Sequence, residues 1–181
     1  MPTLLLHICC GPCATTVIER LSDDYDITGY FYNPNIYPED EYRRRLEAAR
    51  LVTKHFGIQL VEGQYETRKF FDAVRGLENE PENGARCHVC YRLRLAGTAQ
   101  IAAKKSYNYF TSTLTVGPKK KALVINPIGE EEAERFGVRF LSGDWKKKGG
   151  FKRSCELSLK LDTYRQHYCG CIFSMKQDKQ K

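Results

Sequence analysis

Residues 4–8, Leu-Leu-Leu-His-Ile, form a short apolar run that leads into Cys9-Cys10-Gly11-Pro12-Cys13 and then into apolar positions at Ala14, Val17, Ile18 and Leu21. The pattern predicts a buried strand turning directly into a helix, with three thiols in the turn. Residues 27–32 read as a second strand, closed by Asn33-Pro34-Asn35. Pro38 and the acids Glu39, Asp40 and Glu41 start a second helix. Its apolar period runs through Tyr42, Leu46, Ala49, Val52 and Phe56, and Gly57 is its stop. Residues 58–61 predict a third strand and 67–77 a short helix with Phe70, Phe71 and Val74 turned inward.

Residues 76–84 have the composition of an exposed loop, either a lid over a site or a plain connection. Arg86-Cys87-His88-Val89-Cys90 opens a helix whose apolar face reads as Val89, Leu93, Ala96, Ala99 and Ala103. A strand over 109–116, a lysine turn at 119–121, a short helix over 130–136 ending at Gly137, and a strand over 138–141 follow. Leu157, Leu161, Tyr164 and Tyr168 space as a helix leading to Cys169-Gly170-Cys171, and residues 176–181 read as a frayed tail.

The repeated alternation of strand and helix predicts an α/β fold, a single compact domain over 1–181 with a mainly parallel sheet flanked by helices. A length of 181 residues with 41% hydrophobic content suits one such domain. Ligands in sheets of this kind bind at the carboxyl ends of the strands, where Cys9 and Cys10 fall. No basic leader or membrane-length apolar segment stands out, so the expectation is a cytoplasmic protein with no membrane partner.

Eight cysteines in such a protein point to metal binding or redox chemistry, because the cytoplasm keeps thiols reduced. Seven of them fall into three groups, Cys9/Cys10/Cys13, Cys87/Cys90 and Cys169/Cys171; Cys155 stands alone and reads as a small buried hydrophobe. Cys87 and Cys90, three apart on a helix, share a face and reach one metal. A helix N-terminus favours thiolate at the first group. Seven grouped thiols are too many for one tetrahedral zinc and suit an iron–sulfur cluster or two adjacent metals. Two other readings compete, a thiol–disulfide oxidoreductase using Cys10 and Cys13 and a zinc-stabilised RNA-binding module without catalysis. The net charge of +7 favours a polyanionic partner.

Four motifs in order, His7-x-Cys9-Cys10-x2-Cys13, Cys87-x2-Cys90, Asp144-Trp145-Lys146-Lys147-x-Gly149-Gly150 and Tyr164-Arg165-Gln166-x-Tyr168-Cys169-Gly170-Cys171, resemble the cobalamin-independent epoxyqueuosine reductase family. The likeness implies reduction of epoxyqueuosine to queuosine in tRNA, at the wobble position of the anticodon, by two-electron removal of the epoxide oxygen. It also implies a fold similar to the nucleotide-binding PP-loop or HUP-like class, although Cys9-Cys10-Gly11-Pro12 replaces the Ser-Gly-Gly phosphate loop, so no ATP is expected. The implied cofactors are a [4Fe–4S] cluster and an additional mononuclear iron, with no cobalamin and with an external electron donor.

On this resemblance Cys10, Cys87, Cys90 and one of Cys169 and Cys171 are expected on the cluster. Cys9, Cys13, the other of that pair and Asp144 are expected on the second iron, which makes Cys9, Cys13 and Asp144 the catalytic candidates. Asp144, His7 and His88 are the candidate proton donors; His7 also reads as a satisfied core residue and His88 as an exposed one. For tRNA, Lys119 to Lys121, Lys146, Lys147, Lys148, Lys152 and Arg153 are expected at phosphates, with Tyr32, Tyr37 or Trp145 stacking on a base. Gly149-Gly150 is expected to let a nucleotide approach the backbone.

Overall fold

β1 (Thr3–His7) is the centre of the molecule in the computed structural model, which describes residues 1–178. It lies between β2 (Asp26–Phe31) and β4 (Tyr109–Ser112), and β3 (Gln59–Glu62) and β5 (Arg139–Phe140) complete a parallel sheet of order β3-β2-β1-β4-β5. Leu4, Leu5 and Leu6 are all fully buried, as expected for a strand covered on both faces. Leu4, Leu6 and Ile8 pack against α1 (Gly11–Leu21) and α2 (Glu39–His55), whereas Leu5 packs against α4 (Ala85–Lys104) and α5 (Ala122–Phe136). The alternation of side chains along one strand thus divides a three-layer α/β core into its two halves.

The chain runs from β1 outward to β3 and returns on the other side of β1 as β4. The order reverses between β1 and β4, so a crevice opens at their carboxyl ends, the usual place for a ligand in this architecture. Cys9 follows β1 there and Thr113 follows β4.

Several elements differ from expectation. α5 begins at Ala122 rather than at residue 130, with Pro127 inside it. Pro127 is exposed, near the highly exposed Leu123, so the backbone carbonyl it leaves unpaired can take water. Gly137 ends the helix in the left-handed conformation, as expected. The strand expected over 109–116 stops at Ser112, whose hydroxyl accepts from the Leu114 N–H and caps a 3-10 turn, Thr113–Val116.

α6 (Gly150–Lys160) starts earlier than the leucine spacing suggests and ends before Tyr164 and Tyr168. Those two rings are drawn toward α2 and the segment before it, Tyr164 donating to Glu41 and Tyr168 to the Tyr37 carbonyl. α3 (Thr67–Ala73) is shorter than read, and α7 (Ile172–Asp178) extends into the expected tail, of which residues 179–181 lie outside the described residues.

α4 is rotated from its expected face. It buries Cys87, Cys90, Tyr91, Arg94, Leu95, Thr98, Ala99 and Ala102, while Val89, Leu93, Ala96 and Ala103 are half-buried. A hydropathy pattern assigns an arginine to solvent; here Arg94 is 2% exposed because it faces thiols.

Candidate metal centre

Cys9, Cys10 and Cys13 sit in the turn from β1 into α1, with Cys10 as the extended N-cap and Pro12 in the first turn. Their three Sγ atoms lie within 4.8 Å of one another, and Cys9 and Cys10 are 3.9 Å apart. Donors around a tetrahedral ion with metal–sulfur bonds of about 2.3 Å stand about 3.8 Å apart, so the trio fits one ion. Hydrogen bonds from the Cys10 and Cys13 thiols, helped by the Thr113 hydroxyl at 3.2 Å, outweigh burial and favour thiolate at Cys9. Cys13 is pushed upward by its bonds to Cys10 and Cys9 and by burial. For Cys10 the bond to Cys13 favours thiolate, but the bond to Cys9 and burial prevail and raise it to about 12. A thioredoxin-type nucleophile is exposed and low in pKa; Cys10 is 1% exposed and high, so the oxidoreductase pair does not fit.

The other four thiols meet beside Arg94. Cys87 and Cys90 occupy the first turn of α4, as their spacing implies, and with Cys169 and Cys171 they line one small cavity. Asn83 N–H donates to Cys87 Sγ at 3.2 Å, Ser174 N–H to Cys171 Sγ at 3.4 Å and the Lys120 ammonium to Cys169 Sγ at 2.9 Å. Burial works against ionising Cys169, yet the charges of Lys120 and Arg94 overcome it and hold the thiol below its usual range. Burial pushes Cys90 up to about 12. Among the described residues no carboxylate pairs with Arg94 or Lys120. All eight cysteines are free, and Cys155 stands apart on α6.

The segment Tyr168-Cys169-Gly170-Cys171 is fastened by α2. Arg45 forms a buried ion pair with Glu41 at 2.7 Å and donates to the carbonyls of Cys169 at 2.9 Å and Tyr168 at 3.0 Å. Gly170 has φ near +132°, a conformation side chains resist, and its carbonyl accepts from the Tyr37 N–H. The loop before α4 is likewise fixed, with Arg86 donating to the carbonyls of Leu77 and Glu78. Pro81 and Glu82 form a wall of a cleft of about 670 Å³, which also reaches Cys13, Cys169, Lys120, Arg165 and Tyr168.

His7 belongs to the core. Its Nδ1 is 2.9 Å from the Ser112 hydroxyl and its Nε2 is 3.0 Å from the Tyr32 carbonyl. Because a carbonyl only accepts, Nε2 carries the proton and Nδ1 accepts from Ser112. Burial, then the charge of Arg94, lowers its pKa to about 4 and keeps it neutral. His7→Leu leaves two buried partners unpaired, so a loss of about 1–3 kcal/mol is expected in urea unfolding of the metal-free protein. A variant as stable as the parent would contradict this structural role. His88 is exposed.

Asp144 stands apart from the thiols in its contacts, bonded to Lys146 at 2.6 Å and Lys147 at 3.4 Å. Burial opposes ionisation, but these two lysines hold the carboxyl below its usual range. Of the expected tRNA contacts, Lys146 is also bound to the Lys120 carbonyl and Arg153 makes two bonds to Glu19. Lys120 is turned inward, while Lys119, Lys121, Lys147, Lys148 and Lys152 are exposed. Tyr32 is buried and Trp145 packs on the core, which leaves Tyr37 as the exposed ring of the three. Gly150 is a glycine because a Cβ would strike the Trp145 carbonyl at 1.8 Å, an approach within the chain itself, whereas a Cβ at Gly149 would meet nothing within 4 Å. Arg94, Arg45 and Thr113 gave no sequence signal, since each reads locally as surface or as strand, and Lys120, expected at a phosphate, bonds to the Cys169 thiol.

The family model described as "Epoxyqueuosine reductase QueH" matches residues 4–177. The QueH protein of Streptococcus pyogenes is 41% identical over 97% of this chain and 71% of its own length. That of Thermotoga maritima is 38% identical over 100% and 94%. Among solved structures, the U34-tRNA thiolase NcsA from Methanococcus maripaludis, described with its [4Fe-4S] cluster, aligns with a TM-score of 0.55 at 10% identity, over 98% of this chain and 63% of that one. A predicted tRNA methyltransferase subunit from Methanocaldococcus jannaschii aligns with a TM-score of 0.52 at 13% identity, over 86% and 76%. At such identities these two structures bear on the fold alone, and they agree with the expected α/β architecture built on a parallel sheet. The sequence likeness extends over nearly every residue, and the chain belongs to the epoxyqueuosine reductase QueH family.

Proposed function

We propose that this reductase removes the epoxide oxygen of epoxyqueuosine at the tRNA wobble position with electrons delivered through iron held by its seven grouped thiols. Both C–O bonds of the epoxide break, a C=C bond forms, and two electrons and two protons carry the oxygen away as water. The observation that carries this reading is the grouping of seven free thiols from three segments, three in one turn and four around one cavity, beside the buried Arg94 and the half-buried Lys120, which lack a carboxylate partner among the described residues. Thiolate-bound iron–sulfur clusters are anionic, so the donor set and its cationic surroundings fit such a group.

Cys87, Cys90, Cys169 and Cys171, around one cavity, are the ligands we assign to a [4Fe–4S] cluster. Cys9, Cys10 and Cys13, close enough for one ion, are assigned with Asp144 to an additional iron. Cys10 therefore moves from the cluster set that the resemblance implies to the second set. When bound, the cluster supplies electrons one at a time and the iron supplies Lewis acidity, so no cobalamin is needed. Asp144 must release Lys146 and Lys147 to act as a ligand, and that release frees two ammonium groups at the same place.

The cleft above Cys13 and Cys169 has the volume of a site for a nucleoside. Lys120, Lys119 and Arg165 give it a positive wall, and Tyr168 an aromatic one. The cleft orients the modified base and excludes water, an external donor re-reduces the protein, and phosphates lie on the exposed lysines. Charge reversal at Lys148 and Lys152, which are exposed and make no ion pair among the described residues, is expected to weaken tRNA binding and to lower the salt slope by about one for each phosphate left without its lysine. Fluorescence anisotropy over a range of salt measures this, and an unchanged slope would place the tRNA elsewhere.

The function is tested by anaerobic purification with iron, sulfide and zinc analysis, followed by nucleoside mass spectrometry of epoxyqueuosine-bearing tRNA. Brown protein with acid-labile sulfide, more than about four irons per chain and queuosine as product is the expected result. Colourless protein holding only zinc and forming no queuosine overturns it.

A further inference from the structure

Three buried side chains around the four-thiol cavity carry nitrogen donors with nothing to bond. They are Asn35 Nδ2, Arg86 Nε and Arg94 Nη2, on residues that are 1%, 2% and 2% exposed. Among the described residues these are all of the buried side-chain nitrogens without a partner, and all three residues line the cavity shared by Cys87, Cys90, Cys169 and Cys171. They come from separate parts of the chain, the segment after β2, the first turn of α4 and a point two turns further along it. Unpaired buried donors are costly and rare, so their concentration in one place marks an acceptor that occupies it.

The remaining groups around the cavity describe that acceptor. Two guanidinium groups and the Lys120 ammonium supply positive charge, and no carboxylate lines the cavity. The other arms of the arginines are engaged, Arg86 Nη1 with loop carbonyls and Arg94 Nε with the Cys90 carbonyl, so their orientation is set by the fold rather than by the occupant. Asn35 Oδ1 is unpaired as well, and the amide is therefore free to present its nitrogen.

We infer that Asn35, Arg86 and Arg94 donate N–H hydrogen bonds to the sulfur atoms of the cluster and thereby raise its reduction potential, an inference that rests on the four-thiol assignment above. Reduction adds negative charge to the sulfurs, so donors and cations fixed beside them stabilise the reduced state more than the oxidised one. The three side chains supply no ligand bond and change no stoichiometry. Their effect is on how readily the cluster accepts an electron from the external donor.

The test uses anaerobically reconstituted full-length protein with its iron and sulfide content measured first. Redox titration followed by EPR compares the parent with Asn35→Leu and Arg94→Met, and with Asn35→Gln and Arg94→Lys as conservative variants. A downward shift of the midpoint in the first pair, partly restored in the second, is expected. Fully loaded N35L and R94M proteins at the parent's midpoint overturn the inference while leaving the cluster reading intact. Parent protein that takes up no sulfide overturns both. Resonance Raman spectra of the parent in H2O and D2O make the test independent of the variants: Fe–S bands that shift on exchange support donation by N–H groups, and bands that do not move refute it.

Discussion

Arg45→Met is expected to destabilise the folded protein by about 3–5 kcal/mol, the usual cost of removing one partner from a buried ion pair. Glu41 would keep only its bond from Tyr164, and the carbonyls of Tyr168 and Cys169 would lose the donors that hold the last thiols beside α4. The loss should therefore appear twice, as a lower urea midpoint for the metal-free protein and as a fall in bound iron and sulfide after reconstitution. Arg45→Met/Glu41→Gln removes the uncompensated carboxylate and should recover part of the stability but none of the metal, because the two carbonyls remain unheld. Full iron and sulfide in the single variant would show that α2 does not hold this segment.

A second large effect is expected at Cys90. It is buried in the first turn of α4, and packs with Cys171, Phe70 and Val74. Cys90→Ser exchanges a soft thiolate for a poor ligand, and sulfide content and queuosine formation should both fall by more than the roughly 10–100-fold typical of changes outside the ligand sphere. Cys155→Ser, on α6 away from both thiol groups, should retain cluster and activity, which controls for cysteine loss as such. Equal behaviour of the two variants would remove Cys90 from the ligand set.

What could be read from the sequence was whatever rests on local order. Leu4, Leu5 and Leu6 announce a strand buried on both faces, Pro12 and Pro38 mark helix starts, and Gly137 marks a helix end. The thiols were legible because seven of the eight cysteines fall into three tight groups along the sequence. What could not be read is set by distant contacts. Arg94 and Lys120 carry charge, which hydropathy assigns to solvent, yet each is turned inward by sulfur atoms from other parts of the chain. Lys146 and Arg153 looked free to bind phosphate and are instead held by Asp144 and Glu19. Tyr164 and Tyr168 kept a helical period but bond to groups in and just before α2, where no helix could place them. Asn35 looked like a turn residue, and only its empty hydrogen-bonding positions single it out.

Because β1 lies at the middle of the sheet and its thiols precede the other four in the sequence, the order of synthesis matters. Cys9, Cys10 and Cys13 are made first, whereas Cys169 and Cys171 follow roughly 8–30 s later at ordinary translation rates. Throughout that interval the early trio has no β4 beside it and Cys87 and Cys90 have only half of their cavity. On the ligand assignment proposed above, loading of the four-thiol cavity waits for Cys169 and Cys171, and an interrupted message yields a protein with soft ligands exposed to whatever ions the cell contains.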